Sequence, residues 1–230
     1  MASSTVARSR LPHSKLDSDD ALALRAAELS AWARRNVRMI IGIAAVALVV
    51  VGGLLVWKYT QAQKRAAAGE RLLAMSANPA LLTAAGTREL ETFIRQYDGT
   101  PEADEARMML AQSLLDQRQP ARAIPHLREV ADGGSTLAAQ AAMMLGSTHA
   151  QAGDRAAAIR AYQQAADRAP MKYQKFEALG QAALQHEAGG NHKAAADIYR
   201  GLLAESEKGS QQATIIEMRM TEALARVGGR

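Results

Sequence analysis

The side chains able to do chemistry at neutral pH are few in this chain, and their spacing is poor for it. There are five histidines, His13, His126, His149, His186 and His192, and no cysteine. A pair of histidine ligands on one helix face needs four-residue spacing, and no H-x-x-x-H pair occurs. His186 and His192 flank a turn and could share a metal only with ligands supplied from elsewhere. All five are therefore read as ordinary surface or helix-end residues. No G-x-S-x-G, Walker A or G-x-G-x-x-G stretch is present, so a nucleophile elbow, a phosphate cradle and a dinucleotide turn are all missing. Gly189-Gly190 is turn punctuation, Gly52-Gly53 lies in an apolar run, and Asp19-Asp20 belongs to an exposed helix start. Without cysteine, disulfides, thiolate-bound zinc and thiol catalysis are excluded. No catalytic, metal or cofactor-binding residue is expected, and the chain is not read as an enzyme.

What the chain can do instead depends on the elements it builds. Of 230 residues, 48% are hydrophobic but only 4% aromatic. Alanine, leucine, glutamine, arginine and glutamate dominate after residue 60. These residues favour helix, and a sheet would draw on more aromatic and β-branched side chains. The expected fold class is all-α. Residues 1–38 carry seven basic and four acidic side chains, and the other 192 residues carry 21 and 19. The larger part is thus near neutral, without the basic stripe of a nucleic-acid binder.

Met39 to Trp57 is a run of 19 residues with no charged or polar side chain until its closing tryptophan. As a helix it would span roughly 28 Å, the thickness of a bilayer's hydrocarbon core. Arg34, Arg35 and Arg38 precede it, and Trp57, Lys58 and Tyr59 follow, as suits a membrane–water boundary. No small-x-small cleavage site follows, so an uncleaved signal anchor is favoured over a signal peptide. Seven basic residues lie before the run and four (Lys58, Lys64, Arg65, Arg71) soon after it. That asymmetry places the N-terminus in the cytoplasm and the C-terminal part on the extracytoplasmic side of a bacterial inner membrane. Residues 1–15 are read as a disordered cytoplasmic tail. Residues 16–38 form an amphipathic helix with Leu22, Ala26, Leu29, Trp32 and Ala33 on one face, either separate or continuous with the membrane helix. Residues 39–57 are the transmembrane helix, and residues 58–230 form the remaining domain.

That domain repeats. Leu145-Gly146 is followed by Ala158, Tyr162, Ala165 and Pro170, with Gly153-Asp154 as turn and N-cap. Two helices approach closely only over small side chains, so Gly146 and Ala158 mark a crossing and Tyr162 fills the space beside it. Leu110-Ala111, Ala123 and Leu127 repeat the pattern 35 residues earlier. Ala182-Ala183, Gly190, Ala195, Tyr199 and Leu202 repeat it 37 residues later. Leu90, Phe93, Ile94 and Tyr97, then Gly99-Thr100-Pro101, mark an earlier half-repeat paired with a helix over about 61–75. Pro125 inside a second helix should kink it or delay its start. Ile216, Met220 and Ala223 share one face of a terminal capping helix.

This spacing resembles the tetratricopeptide repeat superfamily over roughly residues 60–226. The resemblance implies an α-solenoid with a concave protein-binding groove. Its implied groove residues are Glu105, Met108, Gln112, Asp116, Gln140, Met143, Ser147, Gln151, Glu177, Gln181 and Leu184. Met108 and Met143 are the groove members of the pairs Met108-Met109 and Met143-Met144; methionine suits a permissive peptide surface, although core filling is the competing reading. The groove has no Lys/Asn cluster of the kind that clamps an acidic peptide terminus. The layout of short tail, single anchor and repeat domain resembles the bacterial ancillary subunit of the Sec translocon, which implies association with translocon subunits and periplasmic chaperones. The function expected is a membrane-anchored protein–protein interaction scaffold. The alternative is a self-assembling structural protein of the envelope.

Overall fold

The computed structural model describes residues 32–77 and 83–228. The expected tail, most of the amphipathic segment, His13 and Asp19-Asp20 lie outside the described residues. All regular structure among the described residues is helical. The chain divides into two units between Gln61 and Ala62.

In the first unit, Trp32–Arg35 are helical, Asn36 is a turn, and α1 (Val37–Ser76) begins. The Asn36 N–H donates to the Trp32 carbonyl and the Ile40 N–H to that of Asn36, so the helical bonding path runs through the turn. From Val37 to Thr60 every side chain is exposed.

In the second unit the last part of α1 buries Ala68, Leu72 and Met75, one face at four- and three-residue spacing. Helices α2 (Ala84–Gln96), α3 (Pro101–Asp116), α4 (Pro120–Asp132), α5 (Ala138–Gln151), α6 (Arg155–Arg168), α7 (Lys172–Ala188), α8 (His192–Glu205) and α9 (Gln211–Gly228) follow. From α2 to α9 consecutive helices pack on one another in sequence order, the arrangement of a solenoid. The apolar stripe of α2 is the expected one: Leu90, Phe93, Ile94 and Tyr97 are buried, with the Phe93 and Tyr97 ring centroids 4.7 Å apart.

The turns follow local chemistry. The Thr100 hydroxyl accepts from the Ala103 N–H and donates to the Tyr97 carbonyl, capping α3 ahead of Pro101. Asp154 and Asn191 cap α6 and α8 in the same way. Gly99, Gly153 and Gly190 have φ of 76°, 79° and 76°, a left-handed conformation that leaves no side chain to clash. At the place equivalent to Gly153 in the preceding repeat stands Arg118, also left-handed at φ 59°. Pro125 sits inside α4 without ending it. The helix begins at Pro120, 35 residues before the start of α6, so the expected delay does not occur. At the sixth position of the helix Pro125 has no N–H to give to the Ala121 carbonyl, and the bonds on either side of it carry the helix through.

The crossing of α5 and α6 explains the alternation of small and large residues. A Cβ added to Gly146 would lie 2.5 Å from Tyr162 Cδ1 and 2.6 Å from Cε1. The ring of Tyr162 thus occupies the space a side chain would need, and Ala158 is fully buried beside it. One apolar cluster runs from α1 to α7 and a second joins α7, α8 and α9 through Phe176, Tyr199, Leu202 and Ile216. The terminal helix buries Ala213, Ile216 and Ala223 and half-buries Met220, the face expected of a cap.

Candidate protein-binding surface

The first helices of successive hairpins are α3, α5 and α7, with α9 closing the row. Two clefts open between them. The first, about 450 Å³, lies between α3 and the start of α5. Glu102, Glu105, Met108 and Met109 form one wall; Leu137 and Gln140 form the other, with Ser135 and Thr136 from the preceding loop. The second, about 590 Å³, lies between α7 and α9 over a floor supplied partly by α8. Its α7 wall carries Tyr173, Glu177, Gly180, Gln181 and Leu184, spaced as one helical face. Its α9 wall carries Gln211, Gln212, Ile215 and Arg219, and Phe176, Tyr199, Leu202 and Ile216 are its apolar floor.

The structure places Glu105, Met108 and Gln140 in the first cleft and Glu177, Gln181 and Leu184 in the second. Gln112 and Asp116 are exposed further along α3, where the Gln112 amide donates to the Asp116 carboxylate at 2.8 Å. Met143 is half-buried against the core, the Ser147 hydroxyl donates to the Met144 carbonyl, and Gln151 is exposed at the end of α5. The methionine pairs do not separate cleanly into core and groove members. Met108 is 8% exposed and belongs to the core cluster, while Met109 beside it is only partly buried. Both touch the first cleft, Met108 as floor.

Sequence reasoning missed the α9 wall and the loop residues Ser135 and Thr136. The Ile215-Ile216 doublet was the available signal, since neighbours on a helix cannot both face the core. It also missed Arg107, which is 4% exposed on α3. Its guanidinium donates to Asp98 and Glu129 at 2.6 Å and to Asp104 at 3.2 Å, joining the α2–α3 turn, α3 and α4. The hydrogen bond from Arg107 holds the Asp98 carboxyl below its ordinary value of 3.8. Other cations close helix ends across the repeat. Lys64 donates to the Asp98 carbonyl, Arg168 to the carbonyls of Asp132 and Gly133, and Lys172 to that of Glu205. Arg168 and Lys172 sit at the negative ends of the α4 and α8 dipoles, and Lys64 binds just past the C-cap of α2.

Among the described residues no group of histidine and carboxylate side chains could hold a metal. Burial lowers the pKa of His126 and of His186. Burial, with Glu187 alongside, pushes the Tyr199 hydroxyl far up, so it stays protonated on the cleft floor. The surface offers shape, apolar contact and a few fixed charges, which is the chemistry of recognition.

The stacked hairpins define a helical-repeat protein of the interaction class. Residues 30–145 match the family described as tetratricopeptide repeat-like domain, and residues 143–210 match a second family of the tetratricopeptide repeat. The first match covers half the chain, and the chain belongs to the tetratricopeptide repeat-like family. Repeats of this kind generally serve as non-catalytic modules that bind other proteins. Comparison with curated proteins finds no match. Among solved structures, the crystal structure of MamA protein is similar at 20% identity, covering 70% of this chain and 90% of that chain with a TM-score of 0.41.

Proposed function

We propose that this protein is a non-catalytic, single-pass membrane scaffold whose repeats hold other proteins on the extracytoplasmic face of a bacterial inner membrane. Residues 39–57 cross the bilayer, residues 1–38 lie in the cytoplasm, and residues 58–230 carry the repeats. The exposed apolar stretch of α1 supports the anchor, because no described residue covers side chains such as Leu48 and Val49, 74% and 75% exposed, and a bilayer would. The observation that carries the binding role is the pair of open clefts that gather six of the proposed groove residues from three different helices. The partners proposed are translocon subunits and periplasmic chaperones.

The chain has no cysteine, so single cysteines introduced at Ser4 and at Gln163 report topology with a membrane-impermeant maleimide on intact spheroplasts. Labelling of Gln163→Cys alone is expected; labelling of Ser4→Cys alone overturns the orientation. A photo-crosslinking residue placed at Gln140 or Gln181 in native membranes is expected to yield adducts with a translocon subunit or a periplasmic chaperone. Adducts only between copies of this chain would favour the self-assembling alternative.

A further inference from the structure

We infer that the α7–α9 groove seats an amphipathic α-helix of another protein, laid over Gly180 with an apolar stripe inward and an acidic and a basic flank. This deepens the scaffold reading and rests on it. The α7 wall runs from Tyr173 to Leu184, about 17 Å at helical rise, or three turns of a docked helix. Helices pack at interaxial distances of about 8–10 Å depending on the side chains between them, and a glycine at the contact lets an incoming helix approach to the near end of that range. Gly180 sits in the middle of that wall, and a Cβ built on it meets no atom within 4 Å. A glycine inside a helix weakens it. At Gly146 the chain's own Tyr162 uses the space so created; at Gly180 no described residue does. The rim presents Tyr173 and Ile215, 62% and 48% exposed, above an apolar floor. The two walls carry opposite charges. Glu177 on α7 has no ion-pair partner among the described residues, and Arg219 on α9 has only a 3.9 Å contact with Glu222. An occupant with one acidic and one basic flank satisfies both walls, and which of its flanks is acidic fixes its chain direction in the groove.

The test uses full-length protein in detergent and three fluorescent helical peptides of 14 or so residues with the same leucine stripe. Their flanks are one acidic and one basic, both basic, or both acidic. Fluorescence anisotropy is expected to show the mixed peptide binding about tenfold more tightly than either other. Arg219→Glu should shift the preference to the all-basic peptide and Glu177→Lys to the all-acidic one. Gly180→Leu fills open space, so its thermal transition should match or exceed that of the native chain while binding falls at least tenfold. Equal binding of all three peptides, or binding untouched by Gly180→Leu, overturns the inference. So does a groove occupied by a second copy, seen as a dimer in sedimentation that Gly180→Leu dissociates. The scaffold reading survives that failure if crosslinks from Gln140 to other proteins persist, and falls with it if they do not.

Discussion

At the scale of single residues, two positions decide much of the packing. Gly146 leaves no room for a methyl group against Tyr162. Gly146→Ala should destabilise by roughly 1–3 kcal/mol through overpacking. In Gly146→Ala/Tyr162→Leu the loss should fall short of the two single losses combined, because the smaller side chain relieves the clash; chemical denaturation followed by circular dichroism measures both. Arg107 is the other position. Arg107→Ala should cost about 2 kcal/mol, less than the ~3–5 typical when a buried charge is left unpaired, since Asp98 and Glu129 stay largely hydrated. The depressed Asp98 carboxyl fixes the sign of a pH effect. Its contribution is complete above the ordinary value of 3.8 and is lost as pH falls through the lower folded value. Asp98→Asn should therefore flatten the acid limb of the stability profile. His126, with its pKa lowered by burial, acts at higher pH: its contribution is whole above 6.5 and declines as pH falls through the folded value.

At the scale of elements, the hairpin turn is the part most open to improvement. Gly153 and Gly190 adopt the left-handed conformation that the turn between paired helices demands, and Arg118 adopts it at the same place in the preceding repeat. A side chain in that region costs about 1–2 kcal/mol, partly offset by the greater freedom of glycine in the unfolded chain. Arg118→Gly should thus stabilise by roughly 0.5–1 kcal/mol, and Gly153→Ala should destabilise by a similar amount. A rise in melting temperature for the first variant and a fall for the second would bear this out. Glycine made two of the three turns legible in the sequence. Arg118 hid the third, because nothing in an arginine announces positive φ; only the 35-residue offset from Gly153 points to it.

At the scale of the whole molecule, a stack in which each helix touches its sequence neighbours has stability that varies along the chain. Amide exchange should be slowest in α3–α6, where the larger apolar cluster is covered on both sides, and fastest in α9, which has a neighbour on one side only. Deleting α9 should uncover Phe176, Tyr199 and Leu202 and speed exchange in α7 and α8, while α3 and α4 keep their protection. Uniform loss of protection along the stack would contradict this nearest-neighbour picture.

The helical class, the caps Thr100 and Asp154 and the repeat were legible because each rests on local physics: helix propensity, spacing on one face, and turn residues that admit unusual backbone angles. The crossing at Gly146 was readable too, since a small residue in one helix and a large one sixteen positions later imply each other. The clefts were only half visible. Glu177, Gln181 and Leu184 could be placed on a face by counting along α7, but their partners Ile215 and Arg219 lie more than 30 residues away on a helix with no repeat signature. Met108 and the ion pairs of Arg107 were likewise decided by what neighbouring helices bring to them. Spacing along one helix says which side chains share a face; only the stacking of helices says which faces are covered, and by how much.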